Sequence, residues 1–454
     1  MRKLALLVAA VVLAGYWAWG VSRQAAVNDD IRLTDQDAYI GFARSVHESG
    51  FTDTGGRNRM PLYPMIQALF YDDDLTTEAF FQRGKVVNAV LAALVLLMVF
   101  AVMARRLPFA AAALMTAIAS FTVFAYKAPY FQADLLYYGV AFAAFVLSFE
   151  TVVEPRWGSA AGAGAVAAAA HLVKASATPP VVLAAACLAL RAALELWDAR
   201  RTAQPAAKAA TRAATRAATA LVVLAGVFLL VLSPYLVESK ARYGSYFYNV
   251  NSTYYIWYDS WEEAKAGTAA HGDREGLPGL PAKDLSSAGR YFATHDLGEM
   301  VERVRRGMQA NYANLVHYRV AEYFLVFVIA LIVIAAANGH WLLARLAAAD
   351  MLPAALFVPG YFAGYGLLYA FYAPIASGPR FVLSLVLPGL YVAALVTSRP
   401  LLERLPFTAL PASLGGRRAA RVVSAPVLGA LIALLAWELA VRFPDQVGSV
   451  PSSE

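Results

Sequence analysis

A single cysteine, Cys187, in 454 residues leaves no partner for an intrachain disulfide, so no disulfide framework holds this fold. Charge is also scarce: 15% of residues are Asp, Glu, Lys or Arg, against about a quarter in soluble domains. The histidines (His47, His171, His271, His295, His317 and His340) fall into no metal-ligand spacing. There is no P-loop, dinucleotide fingerprint, His-Glu-x-x-His or serine-nucleophile motif, which sets aside the usual nucleotide-dependent and hydrolytic readings. No basic-aromatic module for nucleic acid is visible, so no nucleic-acid partner is expected.

What the chain has in excess is apolar surface. Sixty per cent of its residues are hydrophobic. Many runs approach the roughly 20 residues that cross a bilayer as a helix. The pattern predicts an all-α polytopic membrane protein, a single domain over 1–454 with about 11 spans. They fall near 4–20, 84–103, 108–125, 131–149, 159–173, 178–196, 218–236, 321–338, 351–372, 380–397 and 425–441.

Arg2 and Lys3 precede the first run, and Arg105, Arg106, Arg200, Arg201, Lys208, Arg212, Arg216, Arg399 and Arg404 fall in alternate short loops. Bases concentrate on the inner side of a membrane, so the chain reads N-in and C-out. The net charge of +7 is thus a topogenic signal. The first run reads as a retained anchor in preference to a cleaved signal peptide. The Ala/Arg-rich composition fits a bacterial inner membrane, where Asn251-Ser252-Thr253 is a chance sequon. The Thr-Arg repeat within 209–220 reads as a solvated helix extension, or as a contact for anionic headgroups.

Two long outer loops result, about 21–83 and 237–320. The first carries a polar island, Thr34-Asp35-Gln36-Asp37-Ala38-Tyr39, and later Arg57-Asn58-Arg59-Met60-Pro61-Leu62-Tyr63-Pro64. Tyr39, Phe42, Ala43 and Val46 recur at helical spacing, with Thr34 as the expected N-cap and Asp37 closing a capping box. Capping accounts for Asp37 better than for Asp35. Pro61 and Pro64 favour an extended strap carrying Arg57 and Arg59 back to the membrane surface. Guanidinium forks there suit phosphate oxygens, with headgroup contact as the plainer alternative. Thr77–Lys85 reads as a second amphipathic stretch, ending in Lys85 at the mouth of a span.

Ionisable groups at span ends need a partner or a wet cavity. Asp134 and Lys174 therefore read either as a structural pair or as part of a substrate cavity. The second loop is dense in aromatics from Tyr243 to Trp261, with Asn251 and Asp259 interleaved. An interfacial belt explains many of these rings, and sugar stacking is the alternative. Arg380, after Gly378-Pro379, opens a late span and is a further phosphate-ligand candidate.

Taken together these stretches resemble the GT-C superfamily of polyprenyl-phosphate-dependent glycosyltransferases. The nearest branch holds the bacterial relatives of protein mannosyltransferases and of the lipid A aminoarabinose transferase. Asp35-Gln36-x-x-Tyr39 resembles the family's Asp-Glu-x-x-Tyr. Arg59-Met60-Pro61-Leu62-Tyr63-Pro64 resembles its Arg-x-Pro-x-Tyr-Pro, and Arg380-Phe381 with Pro388 an Arg-Tyr-x(6)-Pro element. The resemblance implies Asp35 as the base, with Asp37 in reserve, and Arg57, Arg59, Lys85 and Arg380 around the donor phosphate. Beside these, Tyr63, Asp134, Lys174, Asn251 and Asp259 are, from their residue types and positions, the candidates for a substrate cavity.

Gln36 and Phe381 depart from the family pattern, and the first puts in doubt any metal site built on that position. No organic cofactor is expected, and a divalent metal is left open. The implied activity is inverting transfer of a sugar from a polyprenyl-phosphate donor to a lipid, glycan or protein hydroxyl at the periplasmic face. The first outer loop would be catalytic and the second would face acceptor and sugar. A lipid-linked-substrate flippase and a non-catalytic partner on the same scaffold are the rival readings.

Overall fold

The computed structural model describes residues 2–54, 56–346, 351–376, 378–397 and 416–449. Among them there is no β-strand. Arg399 and Arg404 lie outside the described residues. The main helices are α1 (Arg2–Val27), α2 (Gln36–Glu48), the short α3 (Leu62–Ala68), α4 (Thr77–Ala104), α5 (Phe109–Lys127) and α6 (Asp134–Val153). They continue with α7 (Trp157–Val173), α8 (Thr178–Arg201), α9 (Ala206–Tyr243), α10 (Leu297–His317) and α11 (Val320–Leu346). The series closes with α12 (Leu352–Tyr372), α13 (Val386–Thr397) and α14 (Gly416–Trp437).

Among the described residues seven helices are long and apolar enough to cross a bilayer, or eight if the bent pair α10–α11 counts as one. The expected count of eleven goes beyond that. Helix α7, with 17 residues, is about 26 Å long, short of a hydrocarbon core of about 30 Å. The apolar stretch Val382–Thr397 is shorter still. Around the bundle, Leu94, Leu97, Val222, Leu230, Ile329, Ile332 and Ile432 stay exposed. So broad an apolar exterior suits lipid rather than water.

Small residues let the spans approach closely. On α7, Ala160, Ala163, Gly164, Ala167 and Ala168 are buried. A Cβ on Gly164 would stand 2.5 Å from the Leu224 carbonyl oxygen of α9, so only glycine permits that crossing.

Two local expectations change. The second amphipathic stretch is not a separate element: Thr77–Lys85 is the first part of α4, capped by the Thr76 side chain accepting from Ala79 N at 3.2 Å. The arginine-proline strap is partly helical, because Pro61 and Pro64 sit at the start of α3, where a missing N–H costs nothing.

The second long loop ends in α10, whose capping box joins Asp296 and Glu299. It meets α11 at 102°, the turn passing through Arg319 at φ 57°. An amphipathic helix that lies along an interface and then dives takes this shape.

The helices alternate in direction. The start of α4, the end of α5, the starts of α6 and α8 and the ends of α9 and α12 therefore gather at one end of the bundle. Both long loops lie there, and so does the polar island.

Candidate active site

Asp35 is the centre of this end. It precedes α2 as N-cap, yet its side chain makes no capping hydrogen bond. Arg59 Nη2 donates to its Oδ1 at 3.0 Å, and Arg380 Nη1 donates to its Oδ2. The two arginines come from opposite ends of the chain. Burial works to raise the Asp35 pKa, but the fields of Arg380 and Arg59 outweigh it and hold the carboxyl below its ordinary value. Arg59 also lies over the Tyr39 ring, 5.3 Å from its centroid. The Arg380 carbonyl accepts from Tyr138 at 2.7 Å, which fixes the backbone that carries the guanidinium.

The expected capping box at this helix is absent. Thr34 takes φ 61° and its hydroxyl donates to the Leu33 carbonyl, so it cannot cap α2. Asp37 is exposed, and its Oδ1 accepts only the neighbouring Ala38 N–H, at 2.7 Å. A capping threonine needs extended backbone, and the turn at Leu33–Thr34 has the opposite sense.

Gln36 occupies the position where the family pattern has an acid. It is fully buried. Its Nε2 donates to Asn28 Oδ1 at 2.9 Å and to the Asp30 carbonyl at 3.1 Å. Its Oε1 accepts from Asn28 Nδ2 at 3.0 Å and Phe131 N at 2.8 Å. Both sides of the amide are used, so Gln36 ties the exit of α1 to the approach of α6. Among the described residues no three His, Cys, Asp or Glu side chains converge in a way that could hold a metal ion.

Next to Asp35 lies a second charged set. Lys174 Nζ donates to Asp134 Oδ1, and Lys127 Nζ stands 4.0 Å from Oδ2. Phe381 lies between the sets: Lys174 is 5.8 Å from its ring and Arg380 5.3 Å. Two carboxylates, Asp35 and Asp134, thus meet four cations, Arg59, Arg380, Lys127 and Lys174. Lys127 was not among the residues singled out from sequence, although an ionisable group closing a span is the signal that found Lys174.

The other candidates stand apart from Asp35. Lys85 is buried and donates to the Ala25 and Asn28 carbonyls at 3.0 and 2.9 Å, satisfying acceptors at the end of α1. Arg57 reaches away to the second loop, where its Nη1 meets Asp273 Oδ1 at 3.2 Å and Tyr255 OH at 3.0 Å. The Arg57 carbonyl accepts from Val250 N at 2.9 Å. Arg57 therefore clamps one long loop to the other. Tyr63 is buried, accepts from Gln67 at 3.0 Å and packs edge-on to Tyr39 and Phe131.

Asn251 Oδ1 accepts from Tyr372 OH at 3.1 Å, and the Tyr372 ring abuts Phe381, which brings this part of the second loop towards the site. Asp259 is held by Arg303 Nη1 at 3.0 Å and by His295 Nε2 at 2.8 Å. The Arg303 guanidinium also donates to the Phe371 and Ile256 carbonyls. Several aromatics of this loop build its own small core: Tyr243, Tyr248 and Tyr255 are buried, the first two stacked at 4.3 Å. Tyr246, Phe247 and Trp261 remain exposed. Asp273, Arg303 and His295 carried no signal in the sequence, since their roles arise only from long-range contacts.

No family model matches the chain, and no curated protein matches it. Among solved structures, ArnT from Cupriavidus metallidurans in the apo state is similar over 87% of this chain and 80% of its own, at 13% identity and a TM-score of 0.31. A likeness at that TM-score carries no argument about activity. The chain is an all-helical protein with several helices fit to span a membrane, and its chemistry rests on its own residues.

Proposed function

We propose that this protein is an inverting glycosyltransferase of the bacterial inner membrane, facing the periplasm and moving a sugar from a polyprenyl-phosphate donor to an acceptor hydroxyl. The observation that carries the reading is a carboxylate, Asp35, clasped by two arginines at one end of a bundle of spans, beside an Asp134–Lys174–Lys127 set. Four cations against two carboxylates suit an anionic group better than a neutral one. Among the described residues the buried Arg59 Nε has no hydrogen-bond acceptor, a donor that a phosphate oxygen would satisfy.

In this reading the acceptor hydroxyl gives its proton to Asp35 as its oxygen attacks the anomeric carbon. The bond from that carbon to the phosphate oxygen breaks, and polyprenyl phosphate leaves carrying both electrons. Positioned guanidiniums stabilise the negative charge that gathers there. The same arginines make Asp35 a weak base while they hold it. Donor phosphate would draw them off, so that Asp35 regains basicity when a donor is present. Arg57, Lys85 and Tyr63 then act as framework, and Asp37 is spare.

The test is transfer of labelled sugar from synthetic polyprenyl-phosphate donors by the purified protein, compared with Asp35→Asn. General-base catalysis contributes about 10²–10⁴-fold, so the variant should retain at most about 1% of wild-type turnover. A folded D35N protein with undiminished transfer would sink the assignment.

A further inference from the structure

Helix α10 carries an apolar face that the described residues leave open. At 100° per residue, Leu297, Val301, Met308, Tyr312 and Val316 fall within an arc of about 100°. All five are exposed, Leu297 by 73% and Tyr312 by 66%. Glu302, Arg306, Gln309 and Ala313 occupy the adjoining arc, so the helix has one apolar side and one polar side. Arg305 is the single charge within the apolar arc. Both oxygens of Glu302 draw its guanidinium towards the polar side, at 2.6 and 2.7 Å.

The rotation of α10 about its axis is fixed by its third side, which lies across the end of α12. Arg303 Nε donates to the Phe371 carbonyl at 2.8 Å. A Cβ on Gly307 would overlap the Ala370 carbonyl, so the two backbones touch there. Helix α12 is long and apolar enough to span, and Ala370 lies two residues from its end, about 3 Å inside the edge of the apolar zone. Met308 Sδ lies 4.0 Å from the point where a Cβ on Gly366 would stand. Gly366 is one turn, about 6 Å, further down α12 from that edge. Met308 therefore points down the span, and the apolar arc faces hydrocarbon while the polar arc faces away from it.

The bend of 102° to α11 sets α10 nearly parallel to a membrane that α11 enters. Val320 opens α11 three residues after α10 ends, and exposed Leu325, Val328 and Ile329 continue the apolar exterior downwards. The longer stretches of chain outside the described residues, 347–350 and 398–415, start and end at the opposite end of the bundle.

We infer that α10 is seated in the lipid leaflet at the site end of the bundle, its apolar face on the acyl chains just below the headgroups. Removing five apolar side chains from water favours that seat. An interfacial helix sinks about 5–10 Å into the headgroup–acyl boundary, which matches the one-turn reach of Met308. Arg303 also holds Asp259 and the Ile256 carbonyl, so the seat ties the second long loop to the bilayer surface. No step of the transfer chemistry is needed for it.

Nitroxide labels test the seat in full-length protein in nanodiscs. Cys187 is the sole native cysteine, and Cys187→Ala removes it from the labelling reaction. Val301→Cys, Met308→Cys and Tyr312→Cys put labels on the apolar arc, and Arg306→Cys and Ala313→Cys put them on the polar arc. Relaxation by oxygen, which concentrates in hydrocarbon, is compared with relaxation by a water-soluble nickel chelate. Oxygen should dominate at 301, 308 and 312, at a depth of about 5–10 Å below the headgroup boundary. Nickel should dominate at 306 and 313.

Nickel dominance at all five positions would place α10 in water and overturn the inference. Oxygen dominance at all five would sink the whole helix in hydrocarbon and overturn it equally. Exclusion of both reagents from the apolar arc would show protein on it, a second copy being revealed by spin–spin broadening, and would overturn the lipid assignment. Thermal unfolding checks that each labelled protein is folded, and Val316→Cys replaces any apolar-arc label that lowers stability.

Discussion

Replacing Asp273 with Asn should open the second long loop without touching the charged set around Asp35. Asp273 is fully buried, and its Oδ1 accepts from Arg57 at 3.2 Å and from Tyr255 at 3.1 Å. At an effective dielectric near 20, a unit pair at that distance attracts by about 5 kcal/mol before desolvation is counted. Breaking a fully buried pair by removing one partner costs about 3–5 kcal/mol. Two features reduce that figure here. Arg57 keeps 22% of its side chain exposed, so the freed guanidinium can recover some hydration. Among the described residues the second oxygen of Asp273 has no hydrogen-bond partner, so its charge is already poorly solvated.

A net loss of about 2 kcal/mol follows, equivalent to about a 30-fold rise in the open population of the loop. Limited proteolysis within 250–296, under conditions where cleavage follows the open fraction, reads that population directly. Arg57→Gln should cost more, because it leaves the fully buried Asp273 carboxylate without a cation, and the double variant should lose far less than the sum, because the pair is lost only once. Cleavage of D273N within about threefold of wild type would refute the clamp. Strict additivity in the double variant would show that Arg57 and Asp273 act separately.

Two further outcomes follow from the same contacts. Gln36→Glu, which places an acid at the family-pattern position, should destabilise the protein by about 1–3 kcal/mol. A carboxylate cannot donate to Asn28 Oδ1 and the Asp30 carbonyl, and thermal unfolding in detergent measures the loss. A gain in stability would show that the site prefers an acid. The His295–Asp259 contact should make the second loop tighter in mild acid. Both ring nitrogens of His295 face acceptors, the Tyr291 carbonyl at 2.9 Å and Asp259 at 2.8 Å. Burial works to lower the His295 pKa, but these two acceptors outweigh it, so the folded value lies above the ordinary 6.5. The stability from its protonation is therefore full below about 6.5 and disappears as pH rises through the folded value. Hydrogen exchange in 255–296 at pH 5.5 and pH 8 should show this dependence, and His295→Asn should flatten it.

Helix class and membrane character were legible residue by residue, because apolar runs of bilayer length have no soluble alternative. The span count was less so. Short apolar runs such as Trp157–Val173 satisfy a composition window without the length to cross a straight path, and length is a property of the folded helix. The candidate site was legible in its residue types but not in its groupings. Asp35, Arg59 and Arg380 were each visible as ionisable groups at a membrane face. Arg57 and Lys85 looked identical to Arg59 by that measure, yet one clamps a loop and the other caps a helix.

By itself, the sequence determined that this chain is a bundle of membrane helices with most of its charges gathered between and at the ends of the apolar runs. The reason is energetic: charge is excluded from hydrocarbon, so its positions along the chain record where the membrane ends. Which charges meet was decided by tertiary structure alone. Asp35 and Arg380 are 345 residues apart and touch only because the alternating helices return their ends to one face. Local sequence contains no signal for such a contact, since side-chain pairing acts over a few ångströms and the chain between its partners is free to vary.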